Sequence, residues 1–242
     1  MDKKLTNKFE ERFNPDIFLE YLNNRLGEKI LGFLTELSQF SGVLVFSGVI
    51  RNFFINYYGA VRDFDIVIDG DEVLIENFLK KHISTRNSFG GYKIEVDSVK
   101  IDIWHIDKTW AYSNSKVELE LFKEYNLPNT AFFNFSSIVF DFNHLKFIVS
   151  PSFKNFLDTK EIDLVLEDNP MPQLCIINTI YYMHKFHLNV SHKLKNYCLK
   201  HFDEFKEQDY YNIQIKHFSK VKYDYPFLKT YMQIFQKDLL EK

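Results

Sequence analysis

Asp63 and Asp65 stand two residues apart in an apolar, strand-like segment. Side chains of a strand alternate between its two faces, so both carboxylates project from the same face. Two carboxylates held side by side repel each other unless a cation lies between them. Mg²⁺ suits such a pair because it binds one or two carboxylates and completes its coordination with water and substrate phosphates. The spacing therefore predicts a Mg²⁺ or Mn²⁺ site.

The pattern of the segment from Val43 to Asp69 predicts a strand, a turn, a helix and a second strand. The first apolar run meets Ser47 and Gly48, where the helix begins. Backbone N–H groups at a helix start lack partners within the helix, and the helix dipole favours anions there. We therefore predict that Ser47 and Gly48 hold phosphate oxygens. Arg51, one turn into the helix, either adds charge near those phosphates or pairs with a neighbouring acid.

A third acid lies in a predicted hairpin. Tyr92 to Val96 and Val99 to His105 are strand-like runs, and Asp97-Ser98 separates them as a turn. Asp102 lies on the second strand, which would otherwise be buried. An acid in that position is costly without a cation or a hydrogen-bond partner.

This stretch resembles the head domain of the CCA-adding and poly(A) polymerase nucleotidyltransferases, within the DNA polymerase β-like superfamily. The family's pattern is a Gly-Gly pair, then Val-Arg-Asp on the helix and Asp-x-Asp on the next strand. The matching positions here are Ser47-Gly48, Ile50-Arg51-Asn52 and Asp63-Phe64-Asp65. Ser47 and Asn52 depart from the family's Gly and Asp, and neither change removes a metal ligand.

The resemblance continues around the hairpin. Head domains carry a Phe-Gly element before it and often a further carboxylate on its second strand, and Phe89-Gly90-Gly91 and Asp102 occupy those places. The resemblance implies that Asp63, Asp65 and Asp102 form a two-metal site. It also implies an α+β fold, in which a polymerase β-like mixed sheet is flanked by helices and followed by an all-helical C-terminal region.

The activity implied by the resemblance is metal-dependent transfer of NMP from an NTP to an acceptor hydroxyl, with release of pyrophosphate. One element of the family is lost, a nucleotide-contacting motif of two Arg, Asp, three variable residues and Asn. Only Asn134 remains, while Pro128, Asn129 and Thr130 stand at the Arg-Arg-Asp positions. Asn134 is either a ribose or phosphate contact or a turn-forming polar residue. The loss motivates a rival hypothesis, a nucleotide-binding or partner-binding module without turnover, although the three retained carboxylates favour the enzyme.

The sequence predicts three regions. Residues 1–42 form an N-terminal helical brace, residues 43–168 the nucleotidyltransferase catalytic domain, and residues 169–242 a helical neck-like domain. The last boundary is placed near Asp168-Asn169-Pro170-Met171-Pro172, where charge and two prolines interrupt the pattern.

Lysines in the C-terminal region suggest where an acceptor binds. Between Lys185 and Lys222, eight lysines outnumber four carboxylates. Lys193, Lys195 and Lys200 are therefore candidate acceptor contacts, and a solvated helical face is the alternative. Because the chain ends at Lys242, we expect it to add nucleotides to an RNA or tRNA 3′ end without embracing the RNA as longer family members do. A hydroxyl of a protein or a small molecule is the alternative acceptor.

Composition limits the remaining function classes. Apolar residues make up 45% of the 242 residues and aromatic residues 17%, which excludes a disordered chain. The net charge of −3 gives no overall signal for a polyanion partner, so any nucleic-acid contact must come from a local patch. Two cysteines, no secretory signal and no apolar run long enough to span a bilayer predict a reduced, cytoplasmic setting without a membrane partner.

Overall fold

The computed structural model describes residues 11–46, 48–59, 64–82, 84–86, 90–116 and 123–241. The chain divides into two compact units, of which the first comprises Met1–Ala131 and Ser136–Phe153 and the second comprises Phe132–Phe135 and Lys154–Lys242. The predicted brace of residues 1–42 therefore belongs to the same unit as the sheet. The division also falls earlier than the boundary predicted near Asp168, because the segment around Asp163 pairs with residues 132–135.

A seven-stranded mixed sheet forms the centre of the first unit. Its strands are β1 (Ser41–Phe46), β2 (Phe64–Gly70), β3 (Ser84–Arg86), β4 (Tyr92–Val96), β5 (Val99–His105), β6 (Ile138–Asp141) and β7 (Lys146–Val149). Their order across the sheet is β3-β4-β5-β2-β1-β6-β7. β2 and β5 pair in parallel, and the other neighbours pair antiparallel. With its flanking helices, this mixed sheet confirms the predicted α+β fold class.

The first unit also contains α-helices, two of which begin after a capping side chain. They are α1 (Pro15–Leu26), α2 (Glu28–Leu37), α3 (Gly48–Phe54), α4 (Glu72–Leu79), α5 (Trp110–Ser113) and α6 (Lys123–Asn126). The Asn14 side chain accepts a hydrogen bond from Asp16 N at 2.8 Å, and Pro15 is the first helical residue of α1. α4 begins in the same manner, since the Asp71 side chain caps its first turn.

The two faces of the sheet differ in polarity. One face carries the buried apolar side chains of the central strands, including Val45, Ile66 and Ile103. Phe18 of α1 packs on this face against Phe140, with ring centroids 4.8 Å apart. The opposite face carries the alternate residues of the same strands. The period of two in each strand therefore decides which side chains are left for chemistry.

The predicted hairpin of β4 and β5 is confirmed, and a second hairpin joins β6 to β7. β4 and β5 occupy the residues predicted, and Asp97 and Ser98 between them have φ of 50° and 67°. Positive φ at both central residues is typical of the two-residue turns that match the twist of paired strands. The turn that begins at Asp141 joins β6 to β7 in the same antiparallel manner.

The second unit is helical apart from one short pair of strands. Its helices are α8 (Pro172–Phe186), α9 (His192–Phe202), α10 (Glu207–Phe218) and α11 (Tyr225–Leu240), and α7 (Pro151–Thr159) spans the point of division. β8 (Glu161–Ile162) and β9 (Asn189–Val190) pair in parallel. The helices enclose a core that includes Ile177, Cys198 and Phe235. Among the described residues, no helix combines the length and the apolar character that crossing a membrane requires.

Candidate active site

Asp65 and Asp102 are direct neighbours in the sheet. β2 and β5 run parallel, and their register sets Asp65 beside Asp102. Neighbouring strands lie about 4.8 Å apart, so the two carboxylates rise side by side from one face. The Asp102 side chain is 14% exposed, and limited access to water strengthens electrostatic interactions there. The fold thus brings together two residues that the sequence places on separate strands.

Lys93 contributes a positive charge to this pair. The register of β4 and β5 sets Lys93 opposite Asp102, and Lys93 Nζ lies 3.4 Å from Asp102 Oδ2. Because the Lys93 side chain is 45% exposed, solvent screens the ion pair and limits its contribution to at most about 1 kcal/mol. Lys93 was not among the predicted site residues. The two-residue turn at Asp97-Ser98 sets which residues of β4 and β5 lie opposite each other, so the sequence carried a signal for its position.

The end of β1 leads from the Asp65 position into α3. Phe46, the last residue of β1, is the register partner of Asp65 on the other side of β2. α3 begins two residues later, at Gly48. A Cβ added to Gly48 would lie 3.4 Å from Arg51 Nη2, so the Arg51 guanidinium folds back toward the helix start. Gly48 and Arg51 therefore follow directly from the strand end that adjoins the carboxylate pair.

Arg51 is held in a buried position by a neutral neighbour. It is 9% exposed, and its Nε and Nη2 donate to Asn52 Oδ1 at 3.3 and 3.2 Å. Asn52 accepts these bonds as a neutral group, whereas an aspartate at that position would add a negative charge beside the guanidinium. The charge also acts on α1: burial raises the pKa of Tyr21, while the charges of Arg25 and Arg51 oppose that rise. Asn52 therefore holds the Arg51 side chain near the start of α3 without adding a negative charge of its own.

Three predicted residues lie outside the described part of the chain, namely Ser47, Asp63 and Phe89. The full set of Asp63, Asp65 and Asp102 is therefore a prediction for which two members are located. Within the described ranges, no three His, Cys, Asp or Glu side chains come together as a metal-binding group. The amide of Gly48 is described, whereas its predicted partner Ser47 is not.

Apolar side chains continue the face that carries the two carboxylates. Val67 and Trp104 follow Asp65 and Asp102 by one step of the strand period and are themselves register partners. Leu44 on β1 extends this apolar row as the register partner of Val67, and Val139 on β6 belongs to the same hydrophobic cluster. Tyr112 is among the residues packed over it. The carboxylate pair therefore borders a dry, packed cluster along its own strands.

Asn134 has a structural environment within the second unit. It is 1% exposed, and its Nδ2 donates to Glu161 O at 2.9 Å. Its Oδ1 accepts from Asp163 N at 3.0 Å. The side chain thus uses donor and acceptor alike to pair with backbone. These contacts give Asn134 a structural role, in which it joins segments 27 and 29 residues apart rather than forming a local turn.

The three lysines predicted to bind an acceptor are engaged within the second unit. Lys195 Nζ lies 2.8 Å from Asp238 Oδ2, and the Lys195 side chain is 13% exposed. Lys200 Nζ lies 3.3 Å from Glu167 Oε1, and Lys193 Nζ donates to Leu164 O at 3.3 Å. Lys195 points to the C-terminal helix, whereas Lys193 and Lys200 face the segment before α8. The three lysines therefore do not form one basic surface.

A cavity of about 460 Å³ lies toward the other end of β1 and β2. Gly42, Asp69 and Asp141 are among its lining residues, whereas Asp65 and Asp102 are not. Asp141 holds the hairpin turn, since its carboxylate accepts from His144 N at 3.1 Å and lies 2.8 Å from His144 Nδ1. Asp141 thus serves the β6–β7 turn, and the cavity is separate from the carboxylate pair.

Comparison with known proteins gives matches to solved structures. No protein-family model matches the chain, and no curated protein matches it. A CCA-adding enzyme in complex with CTP aligns with a TM-score of 0.64 and 13% identity, over 90% of this chain and 54% of that one. A Thermotoga maritima CCA-adding enzyme complexed with tRNA gives 0.61 and 15%, over 90% and 53%. A tRNA nucleotidyltransferase with a primer tRNA and an incoming ATP analog gives 0.54 and 16%, over 76% and 54%.

These matches confirm the predicted fold. The chain has the fold of a nucleotidyltransferase head domain, followed by helices. It spans about half the length of the structures it matches. Identities of 13% to 16% identify the architecture, whereas a function must be argued from the side chains of the site.

Proposed function

We propose that this chain is a metal-dependent nucleotidyltransferase, which transfers NMP from an NTP to an acceptor hydroxyl and releases pyrophosphate. The register of β2 and β5 carries the proposal, because it sets Asp65 and Asp102 side by side on one face. The strand end beside Asp65 leads into α3, whose first N–H groups suit phosphate oxygens. The head-domain fold supports the same class of reaction.

The carboxylates of Asp65 and Asp102 fit a divalent cation such as Mg²⁺ or Mn²⁺. Both are hard oxygen donors, and Lys93 Nζ at 3.4 Å from Asp102 already balances part of their charge. Asp63 is the third ligand in this proposal. The bound cation supplies neutralisation of the phosphate charge and lowers the pKa of the attacking hydroxyl.

The remaining residues of the site bind and orient the NTP. The amides of Ser47 and Gly48 hold the phosphates, and the buried Arg51 adds positive charge at the same helix start. The acceptor oxygen forms a bond to the α-phosphorus as the bond from that phosphorus to the bridging oxygen breaks. Pyrophosphate leaves with the electron pair. The packed row of Leu44, Val67 and Trp104 limits access of water along the strands.

The acceptor in this proposal is an RNA 3′ end. The similar structures include a CCA-adding enzyme complexed with tRNA and a tRNA nucleotidyltransferase with a primer tRNA. ATP and CTP are the first nucleotides to test, since related structures hold CTP or an ATP analog. The Lys195 side chain is held by Asp238, whereas Lys193 and Lys200 stay candidate acceptor contacts, because solvent screens the exposed Lys200–Glu167 pair.

A labelling experiment tests the proposal. Purified chain is incubated with each radiolabelled NTP and Mg²⁺ or Mn²⁺, with total RNA, total protein or a metabolite extract offered in parallel. We expect label in RNA and its loss in Asp65→Asn and Asp102→Asn. Asp69→Asn is the matched control, because Asp69 lies on the same strand face as Asp65. Equal labelling by all variants contradicts the carboxylate assignment, and label confined to protein or metabolites contradicts the RNA acceptor.

A second candidate function is a nucleotide-binding module without turnover. The 3₁₀ helix Leu127–Thr130 favours it, because it occupies the positions of the lost Arg-Arg-Asp element and offers no cation there. Thermal melting with each NTP, with and without Mg²⁺, separates the two functions. Stabilisation that needs both Mg²⁺ and Asp65 supports the enzyme. Nucleotide-dependent stabilisation that ignores metal and carboxylates supports the module.

A further inference from the structure

Aromatic side chains form a continuous surface on the C-terminal helices. The rings of Tyr223 and Phe227 are stacked, with centroids 4.9 Å apart and an angle of 4° between planes. Tyr231 follows at 5.0 Å from Phe227. His184 on α8 lies 5.2 Å from Tyr231 and 6.3 Å from Phe227. The Phe227 side chain is exposed, whereas Tyr223 and Tyr231 are half-buried, so the stack borders solvent through Phe227.

Lysines lie over two further rings, those of Tyr181 and Phe218, whose centroids are 5.6 Å apart. Lys222 Nζ is 4.5 Å from the Tyr181 ring centroid and 5.1 Å from that of Phe218. Lys185 Nζ is 5.3 Å from the same Tyr181 ring. Unlike Lys195 and Lys200, Lys222 has no carboxylate partner in the part of the chain that the structure describes. We call Tyr181, Phe218, Lys222, Tyr223, Phe227 and Tyr231 the aromatic–lysine surface.

A buried glutamine holds the backbone of this surface in place. Gln214 is fully buried, and its Oε1 accepts hydrogen bonds from Lys222 N and Tyr223 N, each at 3.0 Å. Its Nε2 donates to Tyr223 O at 2.9 Å. One buried side chain therefore fixes the segment that carries both the lysine and the first ring of the stack. A surface ordered before binding loses less conformational freedom when a ligand arrives.

We propose that the aromatic–lysine surface binds single-stranded RNA. Unpaired bases stack on exposed aromatic rings, and lysine ammonium groups meet the phosphates between them. The choice of RNA over an apolar protein partner follows from charge, because covering Lys222 with an apolar face would bury an ammonium without an anion. The inference rests on the proposed function only in naming RNA, the proposed acceptor, as the ligand.

Direct binding tests the inference without relying on catalysis. Fluorescence anisotropy of a labelled single-stranded oligouridylate is measured with the full chain in EDTA, without NTP, over a range of salt concentrations. Phe227→Ala should weaken binding by about fivefold or more, since stacking contributes at least about 1 kcal/mol per base. Lys222→Ala should reduce the slope of log affinity against log salt by about 0.7. Tyr211→Ala and Lys237→Ala are matched controls outside the surface and should bind as the wild type does.

Three results would overturn the inference. The first is unchanged RNA affinity in both Phe227→Ala and Lys222→Ala with melting temperatures like that of the wild type. The second is equal competition by duplex RNA, whose bases cannot stack on protein rings. The third is self-association of the wild type that Phe227→Ala abolishes while RNA affinity stays the same, which would make the surface an interface between copies of this chain. Weakened RNA binding in both variants supports this inference even if no NMP transfer is detected. Failure of the inference is therefore distinguishable from failure of the proposed function.

Discussion

Asn134→Ala tests whether Asn134 holds the second unit together or contacts a nucleotide. In the wild type its side chain donates to Glu161 O at 2.9 Å and accepts from Asp163 N at 3.0 Å. Alanine makes neither bond, and the site is too buried for water to replace them, since Asn134 is 1% exposed. The substitution therefore leaves a carbonyl and an N–H of the chain without these partners.

The size of the effect follows from these two groups. Each buried polar group left unpaired costs about 1–3 kcal/mol. We therefore expect Asn134→Ala to lower the free energy of unfolding of the second unit by about 2–5 kcal/mol. Asn134→Asp keeps the acceptor for Asp163 N but loses the donor and places a charge in a buried site. It should destabilise at least as strongly.

Hydrogen exchange with mass spectrometry is the suitable assay, because it resolves the two units peptide by peptide. Both tryptophans, Trp104 and Trp110, lie in the first unit, so tryptophan fluorescence would not report on the second. Peptides that cover Glu161 to Asp163 should lose protection in Asn134→Ala. Asn129→Ala is the matched control, since the exposed Asn129 donates to the side chain of the nearby Asn126, and it should change stability by less than about 0.5 kcal/mol.

The opposite pattern would refute this reasoning. If Asn134→Ala leaves exchange across the second unit unchanged and weakens NTP binding tenfold or more, the side chain contacts the nucleotide. The resemblance to the family motif would then outweigh the backbone pairing as an account of this residue.

Three further predictions concern the metal site, the aromatic–lysine surface and the buried thiols. Asp65→Asn should abolish stabilisation by Mg²⁺, because it removes one carboxylate of the proposed metal site. Thermal melting with and without Mg²⁺, beside the control Asp69→Asn, checks this, and a Mg²⁺ response like that of the wild type contradicts the site. Gln214→Ala should weaken RNA binding and lower stability, because the backbone of Lys222 and Tyr223 loses its hydrogen bonds to this side chain. Fluorescence anisotropy at temperatures below the melting point of the variant separates the two effects. Unchanged RNA affinity there argues against a positioning role for Gln214. Burial raises the pKa of Cys198 to about 12, so its thiol stays protonated in the folded state when the unfolded thiol has begun to ionise. The contribution of this thiol to the free energy of unfolding is therefore fully present below the ordinary thiol pKa of 9.0 and is lost as pH rises toward about 12. Urea unfolding under reducing conditions, at pH values on both sides of 9.0, should show this loss. The loss should be smaller in Cys198→Ala.

Local features of the fold could be predicted from sequence. Asn14-Pro15 and Asp71 cap helices because short polar side chains reach the free N–H groups of the next turn. The turn at Asp97-Ser98 fixes the pairing of β4 with β5, so the position of Lys93 opposite Asp102 could have been predicted from sequence, although it was not. In each case the interacting residues are close along the chain, and the geometry is set by a few backbone angles.

Pairing between distant segments was decided by the tertiary structure. Asp65 and Asp102 are neighbours because two strands separated by a helix and a hairpin pair in parallel with one register. That register depends on how the opposite face packs against the helices. The fates of Asn134 and Lys195 were likewise set by partners far along the chain, at Glu161 and Asp238. Sequence determined which side chains carry charge and which face of each strand they occupy, whereas tertiary packing decided which of those charges meet, because contacts between remote segments depend on the burial of the whole core rather than on local backbone preference.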